Sequence, residues 1–404
     1  MLENQQSYLI EESEKRDTKI IAYNSSLPWL EKSIYEVPYS RLRVVLCPTT
    51  EGYGHAQRAQ AIASRLIRMK DTECVLFSDK IRVWHLSGLN LKYKSGLHGI
   101  NYVYRKNGDL HTFPTVLRLM FDGLNFPLDF FRSLMTNMEY DVFVNDYNPH
   151  LSYIPGMRTI NITHYIPYKY KWYDLRMRFY TNVIEIPILL AERTRSFLKI
   201  SESFIMDFRP ELVDCEKVFP PIVRDVTKSK TEIRRELGLS KRDRLVIVTG
   251  RPYKNKKKER DNDLRTYRRL AFEHPDIHFL VVLPVQDSRE VEDEEPRNLK
   301  FTGYIPDIHN YINASNLIIA RSGFGTISEA IIYGVPIIIF QAKSHMEKKK
   351  NALMVQDYGY GKIAKNLEKD ILETIEESDN SSDEISKLGN GLNYFMEVLN
   401  GNYF

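Results

Sequence analysis

LIIARSGFGTISEAIIYGVPIIIF, residues 317–340, is the stretch on which the reading of this chain turns. A short β-branched run ends at Ala320. The loop Arg321-Ser322-Gly323-Phe324-Gly325 then turns the backbone, and Thr326 opens a helix through Ser328, Glu329 and Ala330. A second β-branched run, VPIIIF (335–340), follows directly. Continuous apolar runs of this length on either side of a helix mark strands of a parallel sheet that is covered on both faces. Gly323 and Gly325 can take positive φ and let a ligand come close to the backbone. The free N–H groups and positive dipole end at the start of the helix make a site for an anion such as a phosphate, and Arg321 is placed to add a charge-assisted bond. Glu329, about one turn in, is placed to accept hydrogen bonds from a ribose. The competing reading is an ordinary strand-to-helix turn whose glycines serve packing.

The same theme extends in both directions. RLVIVTG (244–250), a helical stretch near 261–273, IHFLVVLP (277–284), LKFTGY (299–304) and a helix from about 347 surround the central motif. Upstream, RLRVVLCPTT (41–50) leads into EGYGHAQRAQAIASRLIRMK (51–70), where Ala56, Ala59, Ala63, Leu66 and Ile67 recur at helical spacing. ECVLFSD (73–79), DVFVNDYNPH (141–150) and TINITHY (159–165) are further short strands. The fold class is therefore α/β, with two Rossmann-like doubly wound domains facing across a cleft. The expected divisions are an N-terminal extension at 1–40, one domain at 41–216, a second at 217–375 beginning with the Pro-containing linker 217–230, and a helical tail at 376–404.

Composition bounds the class. The 404 residues carry 57 Lys+Arg against 53 Asp+Glu and are 43% hydrophobic, enough for a real core. Cys47, Cys74 and Cys215 are too few and too scattered for a disulfide framework or a Cys-rich zinc site, which fits a reducing compartment. The start lacks the apolar core of a secretory signal. The longest apolar runs fall well short of the roughly 20 residues that span a bilayer. A cytoplasmic protein is expected, with the membrane surface as a second possibility. That possibility comes from RLMFDGLNFPLDFFRSLM (118–135) and the stretch 163–190, which interleave aromatic and basic residues as interfacial segments do. Core packing is the competing account of both. RPYKNKKKER (251–260) is a basic loop that suits phosphate, an anionic membrane or nucleic acid, or is simply solvated.

Three segments taken together resemble a known group. GYIPDI (303–308), RSGFGTISEA (321–330) and HMEKKKNA (345–352) occur in the order seen in the nucleotide-binding half of GT-B glycosyltransferases, in particular the MurG-like and UDP-glycosyltransferase group. That resemblance implies that Tyr304 and Ile305 line a nucleoside base. Arg321, Ser322, Gly323, Phe324, Gly325 and Thr326 would surround a diphosphate, with Gly250 and Arg251 nearby, and Glu329 would take the ribose. His345, Glu347, Lys348 and Asn351 would approach the donor sugar. Lys348 stands where the family pattern has Gln, so the identity of the sugar does not carry over. TTEGYGHAQRA (49–59) resembles the Gly-x-Gly-His loop of the same family, where Gly52 and Gly54 bend tightly beneath the donor.

The implied activity is transfer of a sugar from a nucleotide-diphosphate sugar, UDP-linked in that group, to an acceptor hydroxyl. Inversion is implied, as is an acceptor that is lipid-linked or close to a membrane. His55, with an imidazole suited to general base work, and Asp146, at a strand end facing the crevice, compete for the catalytic base. Glu51 and His164 are acceptor-side candidates, and Arg58 reads as a structural or phosphate-side residue rather than a catalyst. No metal and no cofactor beyond the sugar nucleotide are expected, because helix dipole and arginine charge suffice for the leaving group. Asp261-Asn262-Asp263 is assigned to capping a helix. Two rivals stand: a nucleotide-sugar 2-epimerase of the same fold, and a nucleic-acid-binding protein using 251–260.

Overall fold

The computed structural model describes residues 42–49, 52–69, 71–77, 92–94, 140–146, 158–164, 202–208, 218–249, 257–283, 295–340, 346–380 and 388–400. The extension 1–40, the aromatic segment 118–135, most of 163–190 and residues 251–256 lie outside them.

The first half is a seven-stranded sheet: β1 (Leu42–Pro48), β2 (Thr72–Phe77), β3 (Lys92–Lys94), β4 (Val142–Asp146), β5 (Arg158–Thr163), β6 (Glu202–Met206) and β7 (Val218–Phe219). Helix α1 (Gly52–Arg68) connects β1 to β2. The second half holds β8 (Arg244–Val248), β9 (Ile277–Val282), β10 (Leu299–Thr302), β11 (Leu317–Arg321), β12 (Ile337–Phe340) and β13 (Gly361–Ile363). Its helices are α2 (Lys230–Glu236), α3 (Lys257–Glu273), α4 (Ile308–Ala314), α5 (Phe324–Ile332), α6 (Met346–Asp357) and α7 (Leu367–Asn380), and α8 (Gly391–Leu399) follows.

Every strand pairing among these residues is parallel. The strand orders are β3-β2-β1-β4-β5-β6-β7 and β10-β9-β8-β11-β12-β13, so the chain reverses direction of travel between β1 and β4 and again between β8 and β11. In open sheets of this kind, the crevice beyond the strand ends at that reversal is where ligands sit. The chemistry follows from the hydrophobic sequence: Ile337, Ile338 and Ile339 are all fully buried although adjacent residues point to opposite faces. Each contributes roughly 1.5–3 kcal/mol by leaving water, which is why the run carries no polar alternation.

Helix ends obey local chemistry. Ser229 and Glu232 close α2 with a reciprocal capping box. Gly334, at φ 71°, stops α5, and the Val335 N–H bonds back to the Ala330 carbonyl at 2.8 Å. Asp261–Asp263 lies inside α3 rather than capping it, because the helix already begins at Lys257.

Two expected boundaries move. β7 pairs with β6, so the first sheet extends beyond residue 216 to Phe219. Helix α7 runs unbroken through the division placed at 375/376. The connecting segment is also firmly held: Asn310 accepts from the backbone N–H groups of Thr227 and Lys228, and Asn390 bonds both the N–H and the carbonyl of Val223.

The last helix returns to the first half. Arg158 donates to the carbonyls of Val398 and Leu399 at the end of α8, at 2.8 and 3.0 Å. Leu392, Phe395 and Val398 are buried there. Gly391 lies so close to the Pro220 carbonyl oxygen that a Cβ would overlap it, whereas one at Gly389 would meet nothing closer than 3.9 Å. Gly391→Ala should therefore lower the urea unfolding free energy by about 1–3 kcal/mol, the usual cost of overpacking. Gly389→Ala should stay within about 0.5 kcal/mol of wild type in the same titration.

Candidate functional site

The two reversal points meet. Gly54, in the first turn of α1 after β1, lies against Gly325, in the first turn of α5 after β11. A Cβ on Gly325 would come within 2.8 Å of Gly54 Cα and of Gln57 Oε1. Gly323 sits at φ −80° and Gly325 is not among the positive-φ glycines, so the left-handed freedom open to both is not used. Gly325 is required for the close approach of two distant segments, whereas a Cβ on Gly323 would meet nothing within 4 Å.

Beside that contact stands a buried cluster. His55 Nδ1 lies 3.0 Å from Asp146 Oδ1. Arg58, one turn further along α1, donates from Nε to Asp146 Oδ2 at 3.0 Å and from Nη2 to Oδ1 at 2.8 Å. Arg58 Nη2 is also 2.6 Å from His55 Nδ1. The two contacts of Nδ1 require opposite tautomers: a Nδ1–H facing Asp146 leaves Nε2 with a lone pair, while an Nδ1 accepting from Arg58 puts the proton on Nε2. Burial pushes the Asp146 carboxyl up, but the charges of Arg58 and then His55 outweigh it and hold the group ionised well below the usual carboxylate range. So His55 and Asp146, read from sequence as rivals, are partners. An anion held this firmly is a poor proton acceptor near neutral pH. Arg58, read as structural or phosphate-side, is part of the cluster.

The halves also touch through His164, at the end of β5. Its ring stacks on Phe324 with centroids 4.3 Å apart, and its Nε2 lies 3.3 Å from Glu347 Oε1 on α6. Burial pushes its imidazole down to about 4, against the opposing pull of Glu347. His164 is therefore a neutral bridge inside the molecule rather than an open acceptor-side group. Phe324, expected against a diphosphate, buries its ring among His164, Phe208 and Arg58 instead. Only its backbone is left to face a ligand.

The loop 321–326 keeps the features of an anion site. Helix α5 starts at Phe324, its N-cap Gly323 offers no side-chain bond to the helix, and no acidic residue stands in the first turn. The uncapped amides and the dipole together favour an anion. The Ser322 hydroxyl is fully buried with no hydrogen-bond partner among the described residues. Asn351, expected near a sugar, is buried and donates to the Ser322 carbonyl at 3.2 Å, which fixes the loop from behind. Arg321 and Thr326 are half-buried at the loop, Tyr304 is exposed and Ile305 packs on the core edge. Glu347 and Lys348 lie half-buried in the first turn of α6.

Glu329 is not open. Its two carboxylate oxygens accept from Arg224 Nε and Nη2 at 2.7 and 3.1 Å, with both side chains almost wholly buried. Arg224 lies 105 positions away and had no signal in the sequence beyond being a cation near a proline pair. Glu51, Gly250, Arg251 and His345 lie outside the described residues, and Gly52 opens α1. Among the described residues no group of three or more His, Cys, Asp or Glu is gathered in a way that could hold a metal ion. No described helix is long and apolar enough to cross a membrane.

Comparison with solved structures finds a spinosyn rhamnosyltransferase at a TM-score of 0.61 and 13% identity, covering 89% of this chain and 100% of that one. The fold is GT-B. Within it, residues 231–388 match the glycosyltransferase family 28 C-terminal domain. An uncharacterized glycosyltransferase of Methanosarcina mazei is 34% identical over 193 residues, covering 47% of this chain and 48% of its own. A processive diacylglycerol beta-glucosyltransferase of Bacillus pumilus is 27% identical over 161 residues, covering 39% and 40%. The chain spans between about a fifth and a half of the length of the curated relatives it matches.

The titration of two buried histidines has a measurable result. His164 and His309, both held near a pKa of about 4 chiefly by burial, stay neutral in the native state while the unfolded chain protonates near 6.5. Between those values the unfolded state binds more protons, so stability falls as pH is lowered. Urea titrations at pH 7 and pH 5 should differ by on the order of 2 kcal/mol for each such histidine. His164→Gln should remove its share of that difference. The Asp146 contribution has the same sign, but it is complete above about pH 4 and is lost only in stronger acid.

Proposed function

We propose that the protein is a glycosyltransferase that moves a sugar from a nucleoside-diphosphate sugar to an acceptor hydroxyl by direct displacement with inversion. The observation that carries this reading is the placement of a His–Asp pair within one turn of the Gly54–Gly325 contact, so that a proton acceptor and an uncapped helix N-terminus share one crevice. The family 28 match over the second half supports the same reading.

The chemistry divides between the halves. His55, with Nδ1–H directed to Asp146, presents Nε2 to the acceptor hydroxyl and takes its proton as the oxygen attacks the anomeric carbon. Asp146 stays ionised, holds that tautomer and balances the imidazolium that forms. The departing diphosphate gathers charge at the amides of α5, where the helix dipole and Arg321 meet it without a metal. The donor is UDP-linked in this reading. Its test is thermal stabilisation by UDP, GDP, TDP and CMP, in which UDP should give the largest shift and no shift from any nucleotide would sink the proposal. His55→Ala should then cost about 10²–10⁴ in turnover while UDP still binds; unchanged turnover moves the base elsewhere.

The acceptor is proposed to be lipid-linked or membrane-borne, on the support of the diacylglycerol-named relative and of the aromatic and basic stretches 118–135 and 163–190. The enzyme should float with vesicles containing anionic lipid and remain at the bottom of the gradient at high salt, since attraction to the surface is screened. Failure to float at low salt removes this part of the proposal.

A further inference from the structure

His55 and Arg58 stand three positions apart on α1, so their side chains leave the same face of the helix. The sheet brings Asp146 to them. It is in register with Pro48 of β1, and its carbonyl accepts from the Thr49 N–H at 2.9 Å just before α1 opens. The three side chains meet in a triangle. Arg58 Nη2 is 2.8 Å from Asp146 Oδ1 and 2.6 Å from His55 Nδ1, and Nδ1 is 3.0 Å from Oδ1. Arg58 and Asp146 are both buried, and Arg58 Nε holds the second carboxylate oxygen at 3.0 Å.

Two corners of the triangle are fixed in kind. A guanidinium only donates, and the Asp146 carboxylate, held ionised, only accepts. The imidazole nitrogen can do either, and its two neighbours ask for opposite things. With a proton on Nδ1, two donors would face each other across 2.6 Å, the shortest side of the triangle. With a lone pair there, that side becomes a hydrogen bond from a charged donor, and two acceptors face each other only across the longest side. We infer that Arg58 is a positioning residue that sets the tautomer of His55 in this conformation: its Nη2–H donates to Nδ1, so the ring carries its proton on Nε2 and the base is at rest. The base form requires Nδ1 to pass from Arg58 to Asp146, which moves one proton off Nε2 and one onto Nδ1 and leaves the ring neutral. The ion pair need not break for this, since Nε and Nη2 keep the carboxylate. The guanidinium also lies 5.7 Å from the centre of the Phe324 ring, so the group that holds the base at rest touches the start of α5 in the other half. The inference takes from the glycosyltransferase reading above only that His55 is the base.

The test is long-range proton–nitrogen NMR of the full chain labelled with nitrogen-15 histidine, which separates a ring nitrogen bearing a proton from one bearing a lone pair. The His55 signals are those lost in His55→Gln. At pH 8, with no ligand added, the Nε2–H form should exceed the Nδ1–H form by about tenfold, the ratio expected of one hydrogen bond from a charged donor. A proton held mainly on Nδ1, or on both nitrogens, overturns the inference. Arg58→Lys keeps a charge for Asp146 but has no planar fork to span both partners, and the ratio should reverse in favour of Nδ1–H. A purely structural Arg58 would leave the tautomer where it was, so an unchanged ratio in that variant overturns the inference. Should the variant fail to fold, wild type labelled in both arginine and histidine serves instead. A nitrogen–nitrogen coupling across the Nη2–H···Nδ1 bond is expected there, and its absence overturns the inference equally. No nucleotide enters these measurements, so their failure leaves the UDP screen untouched, and a failed UDP screen leaves the tautomer as measured.

Discussion

Two glycines from opposite halves, Gly54 and Gly325, approach so closely that a Cβ on Gly325 would overlap its neighbours and one on Gly54 would be tight. Much of the site depends on that contact. It brings the start of α1 against the start of α5, which sets the His55–Asp146 pair beside an uncapped helix end. It lets Phe324 reach across into the first half, where His164 stacks on it and the Arg58 guanidinium lies 5.7 Å from its ring centre. A methyl group at position 325 would push these layers apart, and the polar cluster would lose its shared wall.

Charge in this interior is paired rather than scattered. Arg58 holds Asp146 and Arg224 holds Glu329, each through two bonds and each buried. Removing one partner of such a pair leaves a charge in a low-dielectric interior and costs about 3–5 kcal/mol, although the intact pair gains little net stability. The arrangement is better understood as orientation than as cohesion. One pair fixes a carboxylate beside an imidazole, and the other fixes a carboxylate beside a helix end.

Much of the architecture was legible because parallel sheets leave a local signature. Runs such as LIIA and VPIIIF have no polar alternation, and each is followed or preceded by a glycine loop and a helix. The loop at 321–323 and the start of α5 were legible for the same local reason. Partnerships were not. His55 and Asp146 stand 91 positions apart, and Arg224 and Glu329 stand 105 apart. Nothing in the spacing of either member points to the other, since the strand order, not the sequence, decides who meets. Phe324 was misread because its neighbours in sequence face the crevice while its own ring is drawn into apolar surroundings. The packing role of Gly325 was missed because a tight approach between distant segments cannot be seen from one segment alone.

The return of α8 to the first half has a consequence for biosynthesis. The first sheet is complete in sequence at Phe219, but the helix whose carbonyls Arg158 binds ends only at Leu399. At 5–20 residues per second, the roughly 180 residues between them take on the order of 10–40 s to emerge. For that interval the nascent first half waits on the ribosome with an apolar groove where Leu392, Phe395 and Val398 will later lie. Vectorial synthesis thus makes α8 the closing strap of the first sheet.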